Sequence, residues 1–250
     1  MSEDDPQEWK RRAIAIPALL AAALAFYVWD AGHAMQRAAL GMPLHELGHA
    51  ATAWWCGFDA VPTLWRTLVP ETRGVIAPLL VAAFACVLVY RGWTAQRTWL
   101  GLAGLALGGL QLAGTAAASA ETAQRWITFG GDAGAMVLGT LLLCTFFVGP
   151  DSRLREGKLR WGLASIGAGA FVDAFATWWT ARTDRGAIPF GEIEGVGLSD
   201  ASKLDELHGW TDAQIVDRYV TVGAICLLVL AALWVRAVWM ARRDVAAPEP

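Results

Sequence analysis

His45, Glu46 and His49 stand in the order H-E-x-x-H, and those residue types at that spacing can hold and use a zinc ion. On a helix, residues four apart share a face, so the two imidazoles can reach one metal. Glu46, directly after the first histidine, is placed to take a proton from an attacking water and pass it to a leaving group. The chemistry is metal-assisted hydrolysis. The same three residues also occur by chance on solvated helices. Here the flanks, Gly41 to Leu44 and Ala50 to Cys56, are apolar, and ionisable groups among lipid tails are costly unless they have partners or work.

A catalytic zinc takes three protein ligands and keeps one position open. The acidic side chains within or beside apolar runs are Asp30, Glu121, Asp132 and Asp173, and the other histidines are His33 and His208. Asp132 sits in Gly130-Gly131-Asp132-Ala133-Gly134, where glycines permit close helix approach or a local unwinding that would turn the carboxylate toward a metal. Its ordinary alternative is an N-cap. Asp173 lies about halfway along a later apolar run, at a depth that suits the two histidines better. The residues alone leave Asp132 and Asp173 open, with a residue outside the apolar runs as a further source. His208, flanked by Asp205 and Asp212, reads as a surface histidine.

The elements that would carry these groups are apolar helices. The 250 residues are 56% hydrophobic and 17% charged, with 14 Trp and a mean hydropathy of +0.40, too apolar for an ordinary soluble domain. Runs long enough to span a bilayer recur at Ala13 to Trp29, Arg37 to Cys56, Val75 to Tyr90, Thr98 to Ser119, Gly131 to Val148, Trp161 to Ala181 and Tyr219 to Met240. The expectation is an all-α, multi-pass membrane bundle of about seven helices forming one integral-membrane domain over residues 1–250. In a bacterium its place would be the cell membrane. Trp and Tyr gather near the run ends, as an interfacial belt does.

The first run follows Glu3, Asp4, Asp5 and Glu8 as well as Lys10, Arg11 and Arg12, with no convincing cleavage site before Gln36, and reads as a retained anchor. Cys56, Cys86, Cys144 and Cys226 lie in or at the ends of runs and form neither a disulfide framework nor a C-x-x-C pair. No basic stripe interleaved with aromatics points to nucleic acid. Loop charges do not choose an orientation. Lys10 to Arg12 favours a cytoplasmic start, whereas Arg153, Arg155, Lys158, Arg160, Arg242 and Arg243 count toward the other side. Residues 58–74, with Pro62 and Pro70, read as a loop dipping beside the site.

Residues 182–218 form the one sizeable extramembrane segment, with eight acidic residues against four basic. Gly186 to Gly197 reads as loop, Asp200 to His208 as a short helix ended by Gly209, and Thr211 to Gln214 as a capping box opening a helix into the last run. The plain reading is a solvated cap. The functional one is a lid or docking element over the site.

Met42-Pro43-Leu44-His45-Glu46-Leu47-Gly48-His49-Ala50, followed by Trp55-Cys56-Gly57-Phe58, resembles the catalytic helix of the site-2 protease family of intramembrane zinc metalloproteases. That resemblance implies H-E-x-x-H on one transmembrane helix and a third ligand from an Asp in an L-D-G motif on a later one. Gly131-Asp132-Ala133-Gly134 is the nearest match, with Gly131 in place of the Leu and Ala133 in place of the Gly. It implies a distant or atypical member in which His45, His49 and Asp132 bind Zn2+ and Glu46 is the catalytic base. The substrate would be a transmembrane or juxtamembrane protein segment. The opposing expectation is a non-catalytic membrane scaffold or transporter that retains the helix. A hydrolase of lipid or another amide is a smaller alternative.

Overall fold

The computed structural model describes residues 6–149, 152–155, 158–193 and 197–246. It is mostly helical, and it divides into two compact units with four boundaries along the chain, two inside helices, between His45 and Glu46 and between Gly134 and Ala135, and two in non-helical chain, between Pro189 and Phe190 and between Gly209 and Trp210.

In the first unit, α1 (Pro6–Tyr27) and α2 (Asp30–Gln36) lead through a π-helical turn (Arg37–Gly41) into the start of α3 (Met42–Trp55). The second part of α6 (Ala120–Cys144), α7 (Leu159–Ala181) and α9 (Asp212–Ala246) complete it. The interior helix is α7, in which Gly167 to Ala174 are buried without a break. Small residues allow this. A Cβ on Gly167 would meet the Gly139 carbonyl oxygen at 2.5 Å, so α6 and α7 pack backbone to backbone. Trp178 of α7 stacks on Tyr219 of α9 with ring centroids 4.1 Å apart.

Two buried carboxylates tie this unit together. Glu8 meets Arg12 at 3.1 Å, Arg160 at 2.5 Å and Arg155 at 3.3 Å. Asp173, only 2% exposed, lies 3.0 Å from His33 Nε2 and 3.1 Å from an Arg37 nitrogen. A buried carboxylate that loses its charge leaves its cation unbalanced. Asp173→Asn is therefore expected to lower unfolding stability by about 2 kcal/mol or more. Thermal unfolding of the purified variant checks it, and an unchanged transition would remove this ion pair from the stability of the unit.

The second unit holds Glu46 onward of α3, a two-stranded antiparallel hairpin of β1 (Val61–Pro62) and β2 (Thr67–Leu68), α4 (Ile76–Thr94), α5 (Thr98–Leu112) and the first part of α6. Residues 190–209 add β3 (Glu192–Ile193), β4 (Gly197–Leu198) and α8 (Asp200–Glu206). Its core gathers Ala50, Ala53, Cys56, Phe58, Ala123 and Ile127. Arg73 donates to the carbonyls of Cys56 (3.0 Å), just past the end of α3, and Ala118 (2.6 Å), just past the π-helical turn Ala113–Ala117 that follows α5.

Among the described residues, four helical stretches are each long and apolar enough to cross a membrane: Ile76–Thr94, Thr98–Ala117, Ala120–Phe147 and Asp212–Arg243. A fifth results if α1 and the α2–α3 arm, bent by 117°, count as one broken span. The expected seven differs for two reasons. The first two apolar runs are the arms of this bent pair, and the sixth is α7, which is not among these stretches and whose glycines and charged Asp173 dilute its apolar side chains. The fifth run also begins earlier than expected. Helix α6 starts at Ala120, with the Ser119 hydroxyl accepting from the Thr122 N–H at 3.1 Å. Asp132 is thus inside a helix and is not an N-cap.

Candidate metal centre

Helix α3 carries His45, Glu46 and His49 in one unbroken stretch. Its rotation is set by contact with α6. A Cβ on Gly48 would stand 2.4 Å from the Gly130 carbonyl oxygen and 2.9 Å from Gly134 Cα, and one on Gly134 would stand 2.4 Å from Gly48 Cα. Separations under 3 Å leave no space for any side chain at this crossing. The glycines around Asp132 therefore serve close helix approach, and the local unwinding entertained from sequence does not occur, since α6 runs through them.

The approach of α6 also fixes His49. Its Nδ1 lies 2.6 Å from the carbonyl oxygen of Ile127, an acceptor, so that nitrogen carries the proton and donates. Its Nε2 points the other way and lies 2.9 Å from Asp200 Oδ2. One ligand atom each from His45, His49 and Asp200 lie within 4.8 Å of one another. A ring donating through one nitrogen to a backbone carbonyl while the other faces a ligand position is the usual state of a metal-binding histidine. Two imidazole nitrogens and one carboxylate oxygen are also the donor types of hydrolytic zinc, whose ligand atoms at about 2.0–2.1 Å stand roughly 3.3 Å apart around a tetrahedron. The donor set fits zinc, and the 2.9 Å separation lies a few tenths of an ångström from that spacing.

Asp200 opens α8, where the Ser199 hydroxyl caps the helix by accepting from the Ser202 N–H at 3.2 Å. Ser202, 4% exposed, in turn accepts from the Gly191 N–H at 3.0 Å. These bonds orient the start of α8 and so the Asp200 carboxylate. Sequence reasoning concentrated on acids in or beside apolar runs, whereas Asp200 belongs to the acidic segment. The usable signal was the Ser199-Asp200 cap position, which marks a rigid helix start.

Glu46 is 5% exposed. The Thr67 hydroxyl, on β2 of the hairpin, lies 2.8 Å from Glu46 Oε2 and 2.7 Å from the Glu46 carbonyl oxygen, and its one proton serves both. The Pro-containing segment 58–74 thus reaches the expected base through a hydroxyl, leaving the other carboxylate oxygen, Oε1, outside that bond. Asp132, 7% exposed on α6, is not in the three-residue group, and Asp173 is held by His33 and Arg37. His208 is half-buried; burial first, and then the Arg125 guanidinium, hold its imidazole below the ordinary value against the opposing pull of Glu121. It is not in the group either.

No family model, no curated protein and no solved structure matches this chain. Its functional reading rests on the residues and their geometry.

Proposed function

We propose that this chain is a membrane-embedded zinc metallopeptidase that hydrolyses peptide bonds within or next to the bilayer. The observation that supports it best is that one ligand atom each from His45 and His49 of α3 and Asp200 of α8 lie within 4.8 Å of one another, and that α3 also carries a buried carboxylate, Glu46. Zinc held there would lower the pKa of a bound water and polarise the scissile carbonyl. Glu46 takes the proton from the attacking water and delivers it to the leaving amine. Thr67 orients the Glu46 carboxylate by its hydrogen bond, and Ile127 holds His49 in the tautomer that leaves Nε2 toward the metal. The apolar surroundings strengthen each of these electrostatic interactions. The substrate is a transmembrane or juxtamembrane protein segment, locally extended so that a peptide bond is open to attack. The resemblance of residues 42–58 to the site-2 protease family supports the same reaction.

The third ligand in this proposal is Asp200, in place of the Asp132 that the family resemblance implies. Asp200→Asn is expected to weaken zinc retention at least ~100-fold, because a neutral amide is a poor zinc ligand. Asp132→Asn is expected to keep zinc near the wild-type level. Elemental analysis of both purified variants against graded chelator decides between them. Zinc lost from a folded Asp132→Asn and retained by Asp200→Asn would restore Asp132 and remove Asp200.

A further inference from the structure

We infer that the basic end of the first unit faces the cytoplasm, against the anionic headgroups of that leaflet, and that the segment joining α7 to α9 lies on the opposite side. The inference rests on the membrane reading and is independent of the peptidase one. Charges counted along alternate loops gave no orientation because two basic clusters fell on opposite sides. Packing within the first unit brings them to one end. Arg12 donates to the Val148 carbonyl at 2.8 Å, and Glu8 holds Arg155 and Arg160. This joins Lys10, Arg11 and Arg12 of α1 to Arg153, Arg155, Lys158 and Arg160.

Helix α9 ends at the same place. Trp234 Nε1 donates to the Ala13 carbonyl at 2.8 Å, Arg236 lies over the Trp9 ring at 6.0 Å, and Lys10 and Arg242 line one cleft. Arg236, Arg242 and Arg243 therefore join the cluster. Three, four and three residues make ten, half of the chain's 20 lysines and arginines. Glu8 engages the buried Arg12 and Arg160, whereas Lys10, Arg11, Arg153, Lys158, Arg242 and Arg243 are exposed.

The far end differs in kind. There Tyr27 and Thr177 hydroxyls lie 3.3 Å apart and Trp178 stacks on Tyr219. Its cations are fewer: Arg37 pairs with Asp173, Arg185 lies 3.7 Å from Asp212, and Arg182 and Arg218 lie over the rings of Trp179 and Trp210. Trp161 and Trp178 mark the two ends of α7, about 26 Å apart at 1.5 Å per residue, close to the thickness of a hydrocarbon core. An excess of exposed Lys and Arg at one end of such a bundle is retained on the cytoplasmic side, where anionic lipid attracts it. The chain leaves α7 and enters α9 at the far end, so the segment that joins these two helices starts and finishes on the extracytoplasmic side.

The test uses the full chain in cells, labelled by a membrane-impermeant maleimide before and after permeabilisation, with wild type as background. Glu206→Cys on α8 is expected to label in intact cells, and a cysteine appended after Pro250 only after permeabilisation. The reverse pattern, or both sites labelling alike, would overturn the inference. Replacing the exposed Lys10, Arg11, Arg242 and Arg243 together by Gln is expected to lower the intact-cell fraction of label at position 206 several-fold. An unchanged fraction would overturn charge as the orienting cause. Release of the wild-type chain by alkaline carbonate would overturn the membrane reading itself, and this inference with it; reversed labelling of a chain that resists extraction would overturn the orientation alone.

Discussion

Glu46→Gln is expected to abolish peptide hydrolysis, by 10³-fold or more on the order of a lost general base combined with a lost proton shuttle, while zinc remains bound. The amide keeps the shape of the carboxylate, and its oxygen can still accept from the Thr67 hydroxyl that now lies 2.8 Å from Oε2. What it loses is the ability to take a proton. Because Glu46 is buried, its replacement by a neutral group of equal size adds no unpaired charge to the interior, so the variant should fold. Turnover is measured on membrane-protein substrates in detergent or vesicles, with metal content determined on the same preparation. Comparable turnover by wild type and variant would remove Glu46 from the reaction.

The second large effect is loss of metal. His45→Ala and His49→Ala each delete one of three ligand atoms that lie within 4.8 Å of one another, and two ligands do not hold a stable catalytic zinc. Each is expected to lose stoichiometric zinc and all activity. The two should differ in stability. His49→Ala also removes the side-chain bond from Nδ1 to the Ile127 carbonyl at 2.6 Å, an acceptor that keeps its place in the α6 ladder, and losing one such bond costs about 0.5–1.5 kcal/mol. Stoichiometric zinc in both variants would end the metal proposal.

Much of this arrangement was legible in the residues. The i, i+4 histidines fall on one helix, as their spacing required, and the Thr211–Gln214 capping box forms reciprocally, with Thr211 N–H donating to Gln214 Oε1 at 3.1 Å and Gln214 N–H to the Thr211 hydroxyl at 3.4 Å. Hydropathy sees composition and not direction, so it could not tell that the runs ending at Trp29 and Cys56 are two arms of one bent pair. It also placed the start of α6 eleven residues late, because Glu121, Arg125 and the threonines of its first turns look like loop. Asp173 was drawn toward the metal by depth alone. Its partners, His33 and Arg37, lie about 140 residues away in sequence, beyond the reach of any local pattern. Asp200 was passed over for the same reason: its approach to His49 spans 151 positions and depends on tertiary packing.

The bare position at Gly48 has a further meaning for the geometry of α3. Leu47 and His49 on either side carry side chains, so only residue 48 can sit where the backbone of α6 touches. With about 100° of turn per residue, His45, His49 and Glu46 then point roughly 60°, 100° and 160° around the axis from that contact. The contact acts as an index mark: a turn of the helix by one residue would drive a side chain into α6 and swing all three groups away together. The direction in which the chemistry faces is set by the one residue of the five that has no side chain.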